Sequence, residues 1–255
     1  MIGDRFFYYP NRRVYGSPEE LGLAYEAVRF PTSDGLSLAG WFFPAIDAAG
    51  AAARLGVNKL TRSCPPEDQG NRSTWSSCPQ DRGNLSSTGS DPELVEGLPS
   101  VRAHGTVLHL HGNAGNMTGH FQHVAWLPAA GWNVLCFDYR GYGESPGRTT
   151  RSGTVADAHA ALDYLVARPD VDRRRIVAFG QSLGGAIGIV LVAQRPEIRG
   201  LATDGAFESY RRIAAWHVRH SPLLLPIAWW VPRLLIGNAY DPIDHVGRIA
   251  PRPLL

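Results

Sequence analysis

Apolar and polar positions change their period several times along the chain, and each change marks an element. Tyr25 to Phe30 and Leu36 to Phe43 are rich in strand-forming residues and flank the turn residues Ser33-Asp34-Gly35. They predict a β-hairpin with Trp41 and Phe43 on one face and Phe42 on the other. Gly105 to Leu110 predicts a strand. Asn113 to Ala130 predicts a helix with Phe121, Val124, Trp126 and Leu127 on its apolar side, closed by Gly131. Trp132 to Tyr139 predicts another strand, and Val155, Ala158, Leu162, Leu165 and Val166 fall at helical spacing before Pro169. Ile176 to Phe179 reads as a buried strand, Ala186 to Ala193 as a buried helix, and Ile198 to Thr203 as a further strand. Strands alternating with helices predict an α/β fold, a mainly parallel sheet flanked by helices with right-handed crossovers. Ligand groups in such a sheet gather at the carboxyl ends of its strands.

Two stretches break the pattern. Residues 48–103 lack periodicity and are rich in Ser, Gly, Pro, Asn and Asp, so they bury too little apolar surface to offset the entropy of ordering. They read as a disordered insertion in a single domain spanning 1–255. Within it, Cys64-Pro65-Pro66-Glu67-Asp68 is echoed imperfectly by Cys78-Pro79-Gln80-Asp81. No histidine accompanies Cys64 and Cys78 to complete a zinc site, and two polar copies do not make a solenoid. The second stretch, 221–237, holds Leu223-Leu224-Leu225 and Trp229-Trp230 but is interrupted by Pro222, Pro226, Pro232 and Arg233. It is too short and broken for a membrane span. It reads as part of a helical cap over 206–240, with a peripheral membrane-touching face through 221–237 as the open alternative.

The formal net charge of +2 gives no reason to expect a nucleic-acid partner. Three cysteines, one of them (Cys136) in an apolar run, do not make a disulfide framework, and the amino terminus lacks the apolar core of a signal peptide. A reducing, cytoplasmic location is expected, membrane-associated if 221–237 touches a bilayer.

The chemistry centres on Gly180-Gln181-Ser182-Leu183-Gly184, a G-x-S-x-G pattern between a predicted strand and a predicted helix. There a serine adopts strained backbone angles, flanking glycines remove bulk that would strike the neighbouring elements, and the helix aims its free N–H groups at any oxyanion that forms. Other polar residues have plainer readings. His109 and His111 flank an apolar strand end with no third ligand nearby, which suits hydrogen-bonded structural roles; no metal site is expected. Asp138 and Arg140 precede a glycine turn, where a carboxylate fixes a loop. Gly112, Gly115, Gly141 and Gly143 do not spell a phosphate cradle.

His109-Leu110-His111-Gly112-Asn113-Ala114-Gly115-Asn116, Phe137-Asp138-Tyr139-Arg140-Gly141-Tyr142-Gly143-Glu144-Ser145 and Gly180 to Gly185 resemble three successive strand-end motifs of α/β-hydrolases. They look most like the ABHD-type branch of esterases and protein depalmitoylases. Phe30 to Trp41 and Tyr240 to Leu255 are similar too, so the resemblance covers the chain outside 48–103. It implies Ser182 as catalytic nucleophile, with the backbone N–H groups of Asn113 and Leu183 as oxyanion hole; the backbone at 113 and 183 then matters more than the side chain. It implies no cofactor, and a small ester or acyl substrate. In the family the catalytic acid and histidine follow the strand that Pro251-Arg252-Pro253-Leu254-Leu255 resembles, so the expectation is a fold lacking its last strands, cut before both residues. Ser182-Asp204-His245 would also respect the family's order. His217 and His220 sit near the cap and read as ordinary histidines. Three functions stay open: a serine hydrolase acting on esters or thioesters, an inactive truncated remnant, and a non-catalytic ligand-binding relative.

Overall fold

Six apolar stretches pair into one sheet in the computed structural model, which describes residues 7–46, 102–219, 237 and 239–255. The strands are β1 (Glu26–Pro31), β2 (Ser37–Phe43), β3 (Gly105–Leu110), β4 (Trp132–Phe137), β5 (Ile176–Gln181) and β6 (Ile198–Asp204). Their order is β1-β2-β4-β3-β5-β6. The hairpin β1–β2 adds antiparallel to β4, and β4, β3, β5 and β6 run parallel, giving the expected mainly parallel α/β sheet. Leu201 bridges Leu254 in parallel sense, so the last residues lie along the outer edge of β6.

Each face of the sheet carries its own core. On one side Leu108, Leu110, Leu135 and Phe137 meet α2 (Arg151–Ala167) and α3 (Leu183–Gln194). Helix α3 is buried from Leu183 through Val192, as its nearly all-apolar sequence requires. On the other side Val107, Val134, Cys136 and Phe43 pack against Met117, Phe121 and Val124. Phe42 faces the first core while Trp41 and Phe43 face the second, as the hairpin alternation predicted.

The helix expected over 113–130 does not form. Residues 111–116 are a loop, Ala114 takes a left-handed φ of 57°, and only Met117–His120 (α1) is α-helical. Two 3₁₀ turns follow, Phe121–His123 and Pro128–Ala130. Asn116 is extended and caps α1 by accepting from the Thr118 amide, while Pro128 brings no N–H to continue a helix. Trp126, expected on the apolar side, is 64% exposed. It borders an apolar groove of about 500 Å³ along Val107, Val177, Phe179 and Leu201.

The insertion expected at 48–103, with Cys64 and Cys78, lies outside the described residues except for its last two positions. So do the aromatic stretch 221–237, Gly237 aside, and His220. Of the expected cap, helix α4 (Tyr210–Arg219) is described. Both ends of that segment are fastened to the body. Asp241 accepts from Ser209 Oγ at 2.7 Å and from the Tyr210 amide at 3.0 Å, and Arg151 donates to the carbonyls of Gly237 and Ala239. Among the described residues no helix is long and apolar enough to cross a membrane.

Candidate active site

Ser182 follows β5 directly and precedes α3 directly, with φ 50° and ψ −108°. A non-glycine residue in that region is strained and persists only where its surroundings over-determine it. Here they do. A Cβ on Gly180 would strike the backbone of Gly184 and Gly185, and one on Gly184 would strike the carbonyls of Leu110 and His111. The Ser182 amide is tied to the Asp204 carbonyl at 2.7 Å, fixing the turn to the end of β6. Ser182 itself is exposed, and its side chain makes no capping bond to α3.

Loop 111–116 leaves the end of β3, next to β5. The Asn113 side chain is fully engaged: Oδ1 accepts from the Tyr9 amide at 3.0 Å and from the Tyr142 hydroxyl at 2.8 Å, and Nδ2 donates to the Phe7 carbonyl at 2.5 Å. Asn116 Nδ2 donates to the Arg13 carbonyl, and Tyr15 N donates to Thr118 Oγ1. Residues 7–15 thus form a strap across the loop, in register through the Pro10–Gly115 bridge. The side chain of Asn113 has work of its own, since it clamps strap and loop together. Among the described residues the amides of Asn113 and Leu183 find no acceptor, and Leu183 opens α3, where helix N–H groups are free by geometry.

Beneath the loop lies a buried polar layer. Asp138 Oδ1 accepts from the Met117 amide at 2.7 Å and Oδ2 from the Glu144 amide at 3.3 Å. Burial nevertheless pushes its carboxyl up to about 6, the two amides offsetting only part of the desolvation. A Cβ on Gly143 would collide with this carboxylate, which explains that glycine. The loop-fixing role expected of Asp138 is what the structure gives. Arg140 ties the glycine turn to the body, meeting buried Asp157 at 2.8 Å and Asp34 at 2.6 Å. Burial pushes His111 down to about 3, and its Nδ1 donates to the Gly112 carbonyl at 2.7 Å. His109 lies 3.4 Å from Cys136 Sγ and stacks on Phe179, and burial holds it well below the ordinary histidine range. Both histidines are therefore neutral. Among the described residues no cluster of three or more His, Cys, Asp or Glu is placed to hold a metal ion.

A family model described as serine aminopeptidase, S33, matches residues 101–244, more than half of the chain, including Ser182 and loop 111–116 but not the strap. The chain belongs to this α/β-hydrolase family. The hydrolase is 32% identical to the uncharacterized protein YfhR of Escherichia coli K12 over 256 residues, covering 100% of the chain and 68% of YfhR. It is 39% identical over 127 residues to the α/β-hydrolase domain-containing protein WAV2 of Arabidopsis thaliana, 49% of the chain and 39% of WAV2. In three dimensions it is similar to the Pyrococcus furiosus esterase Pf2001, with a TM-score of 0.60 and 19% identity over 97% of the chain and 74% of the esterase. That likeness concerns the fold.

Among the described residues neither the alternative acid nor the alternative base of this hydrolase bonds to the Ser182 hydroxyl. The Asp204 carboxylate faces Gln181 Nε2 at 3.5 Å, and His245 is half-buried between 3₁₀ turns at Pro242–Asp244 and Val246–Arg248 with Nδ1 unpartnered. Among the described residues no hydrogen bond joins His245 to Asp204 or to Ser182. Sequence reasoning missed the strap and the contacts of His120 and Gln181. The first left no signal, because residues 7–15 carry no periodicity. The second left a faint one: His120 and His123 are polar interruptions in an otherwise apolar-patterned stretch.

Proposed function

We propose that this hydrolase cleaves carboxylic esters or thioesters with an apolar acyl group through an acyl-enzyme on Ser182. The observation that carries the reading is the left-handed, exposed serine between β5 and α3, held there by Gly180 and Gly184. In the reaction Ser182 Oγ attacks the carbonyl carbon, its proton passes to a base, and the oxyanion is received by the N–H groups of Leu183 and Asn113. Each such donor contributes about 3 kcal/mol of transition-state stabilisation where it has been measured in serine proteases. Collapse of the tetrahedral intermediate expels the alcohol or thiol, and water then releases the acid. One observation favours a second reading, a chain that binds an acyl ligand without turnover: among the described residues the Ser182 hydroxyl bonds to no base.

A fluorophosphonate probe separates the two. Labelling of the chain that disappears in Ser182→Ala supports the nucleophile. A properly folded chain that is never labelled supports the binding reading and defeats the first.

A further inference from the structure

One side chain touches both the loop that carries Asn113 and the residue just before Ser182. His120, the last residue of α1, has a largely buried ring under loop 111–116. A Cβ on Gly115 would lie 2.9 Å from its Nε2 and one on Gly112 would lie 3.2 Å from its Cε1, so the loop is built closely around the imidazole. On its other side the ring stacks with His111 at 5.6 Å. Its Nδ1 is 2.9 Å from Oε1 of Gln181, the residue immediately before Ser182. An amide oxygen only accepts, so the imidazole proton sits on Nδ1. Gln181 Nε2 in turn donates to His123 Nε2 at 3.2 Å and reaches Asp204 Oδ2 at 3.5 Å, while the Asp204 carbonyl receives the Ser182 amide.

We infer that His120 is a positioning residue which, through its hydrogen bond to Gln181, sets the separation between loop 111–116 and the elbow at Ser182, and so between the amides of Asn113 and Leu183. The inference rests on the hydrolase reading above. Packing alone does not explain this residue, since an apolar ring would fill the space under Gly112 and Gly115 without leaving a buried donor to satisfy. Burial also lowers the basicity of His120, against the hydrogen bond to Gln181, which raises it. Strands β3 and β5 hold the bases of the two segments in register, but their mutual pairing ends at Leu110 and Gly180, and beyond it the elbow pairs only with β6. Past that point His120 and Gln181 supply the side-chain bridge, and misplacement of catalytic groups by about 1 Å costs on the order of a hundredfold in rate.

The test uses the full chain and the rate of fluorophosphonate labelling at Ser182, with thermal melting as a control. His120→Phe keeps a ring but removes the donor, and is expected to slow labelling by about tenfold or more while the melting temperature stays near that of the parent. His120→Asn returns an N–H close to the Nδ1 position and is expected to recover most of the rate. Labelling of His120→Phe at the parent rate, or of His120→Asn as slowly as His120→Phe, overturns the inference. If His120→Phe does not fold, Gln181→Met removes the same bond from the other side, and parent-like labelling there overturns it equally. If the parent chain itself is not labelled, the reading of Ser182 fails, and amide hydrogen exchange in His120→Phe decides the bridge separately. Faster exchange in both 112–120 and 181–186 upholds it, whereas a change confined to 117–123 overturns it.

Discussion

Around Ser182 the chain is held by what is missing from its neighbours, Gly180 and Gly184, whereas loop 111–116, one strand away, is held by what its side chains reach: Phe7, Tyr9 and Tyr142 through Asn113, and Arg13 through Asn116. The elbow is a steric solution, made by two glycines within five consecutive residues packed against each other and against the end of β3, and closed by one backbone bond to Asp204. The loop is a distributed solution, whose partners lie up to 106 positions away in sequence. The difference has an energetic consequence. A backbone collision cannot be relaxed by rotating a side chain, so the elbow responds to change all at once. The loop loses one hydrogen bond at a time, and each is worth about 1 kcal/mol.

The comparison is tested most severely by Gly184→Ala, whose new Cβ would overlap the Leu110 carbonyl. A loss of more than about 4 kcal/mol and complete loss of fluorophosphonate labelling are expected, read by chemical denaturation and by the probe. A stable, fully labelled variant would show that the elbow adapts like the loop. Next comes the pH dependence of Asp138, which lies under the loop. Its carboxyl is held up at about 6, above its value in the unfolded chain. Below about pH 4 both states keep the proton, and stability falls as pH rises through about 4 to 6, because the unfolded chain releases its proton first. Asp138→Asn removes that slope, a difference on the order of 2–3 kcal/mol between pH 4 and pH 7 measured by urea denaturation against the parent. Equal slopes would mean that Asp138 ionises normally.

A smaller change is expected for Asn113→Ala, which removes three hydrogen bonds of a partly exposed side chain. It should cost about 1–3 kcal/mol and slow labelling without abolishing it, as expected for a loop loosened but still tethered through Asn116. Smallest is Arg29→Ala, which breaks the exposed pair with Glu144 at 3.0 Å. A stability change below about 1 kcal/mol is expected, shrinking further in salt. A larger effect would show that the glycine turn after Asp138 relies on the hairpin more than its buried Arg140–Asp157 contact indicates.

The same contrast separates what could be read along the chain from what could not. The amino-acid order alone determined the alternation of strands and helices, the two faces of the β1–β2 hairpin, and the elbow itself. The first two rest on periodicity, and the elbow is announced by glycines two residues either side of Ser182, although the carbonyl that Gly184 avoids belongs to Leu110 on the neighbouring strand. Tertiary structure alone decided that 113–130 is a loop followed by broken turns, since the apolar positions of Phe121 and Val124 suit either form and only the strap, Asp138 and the Asn116 cap choose between them. It also decided which polar residues serve the loop. The side chains of Asn113, His120 and Gln181 carry no signal in the sequence, and they acquire roles because parallel pairing of β3 with β5 brings two strand ends side by side, where polar groups must find partners in one another.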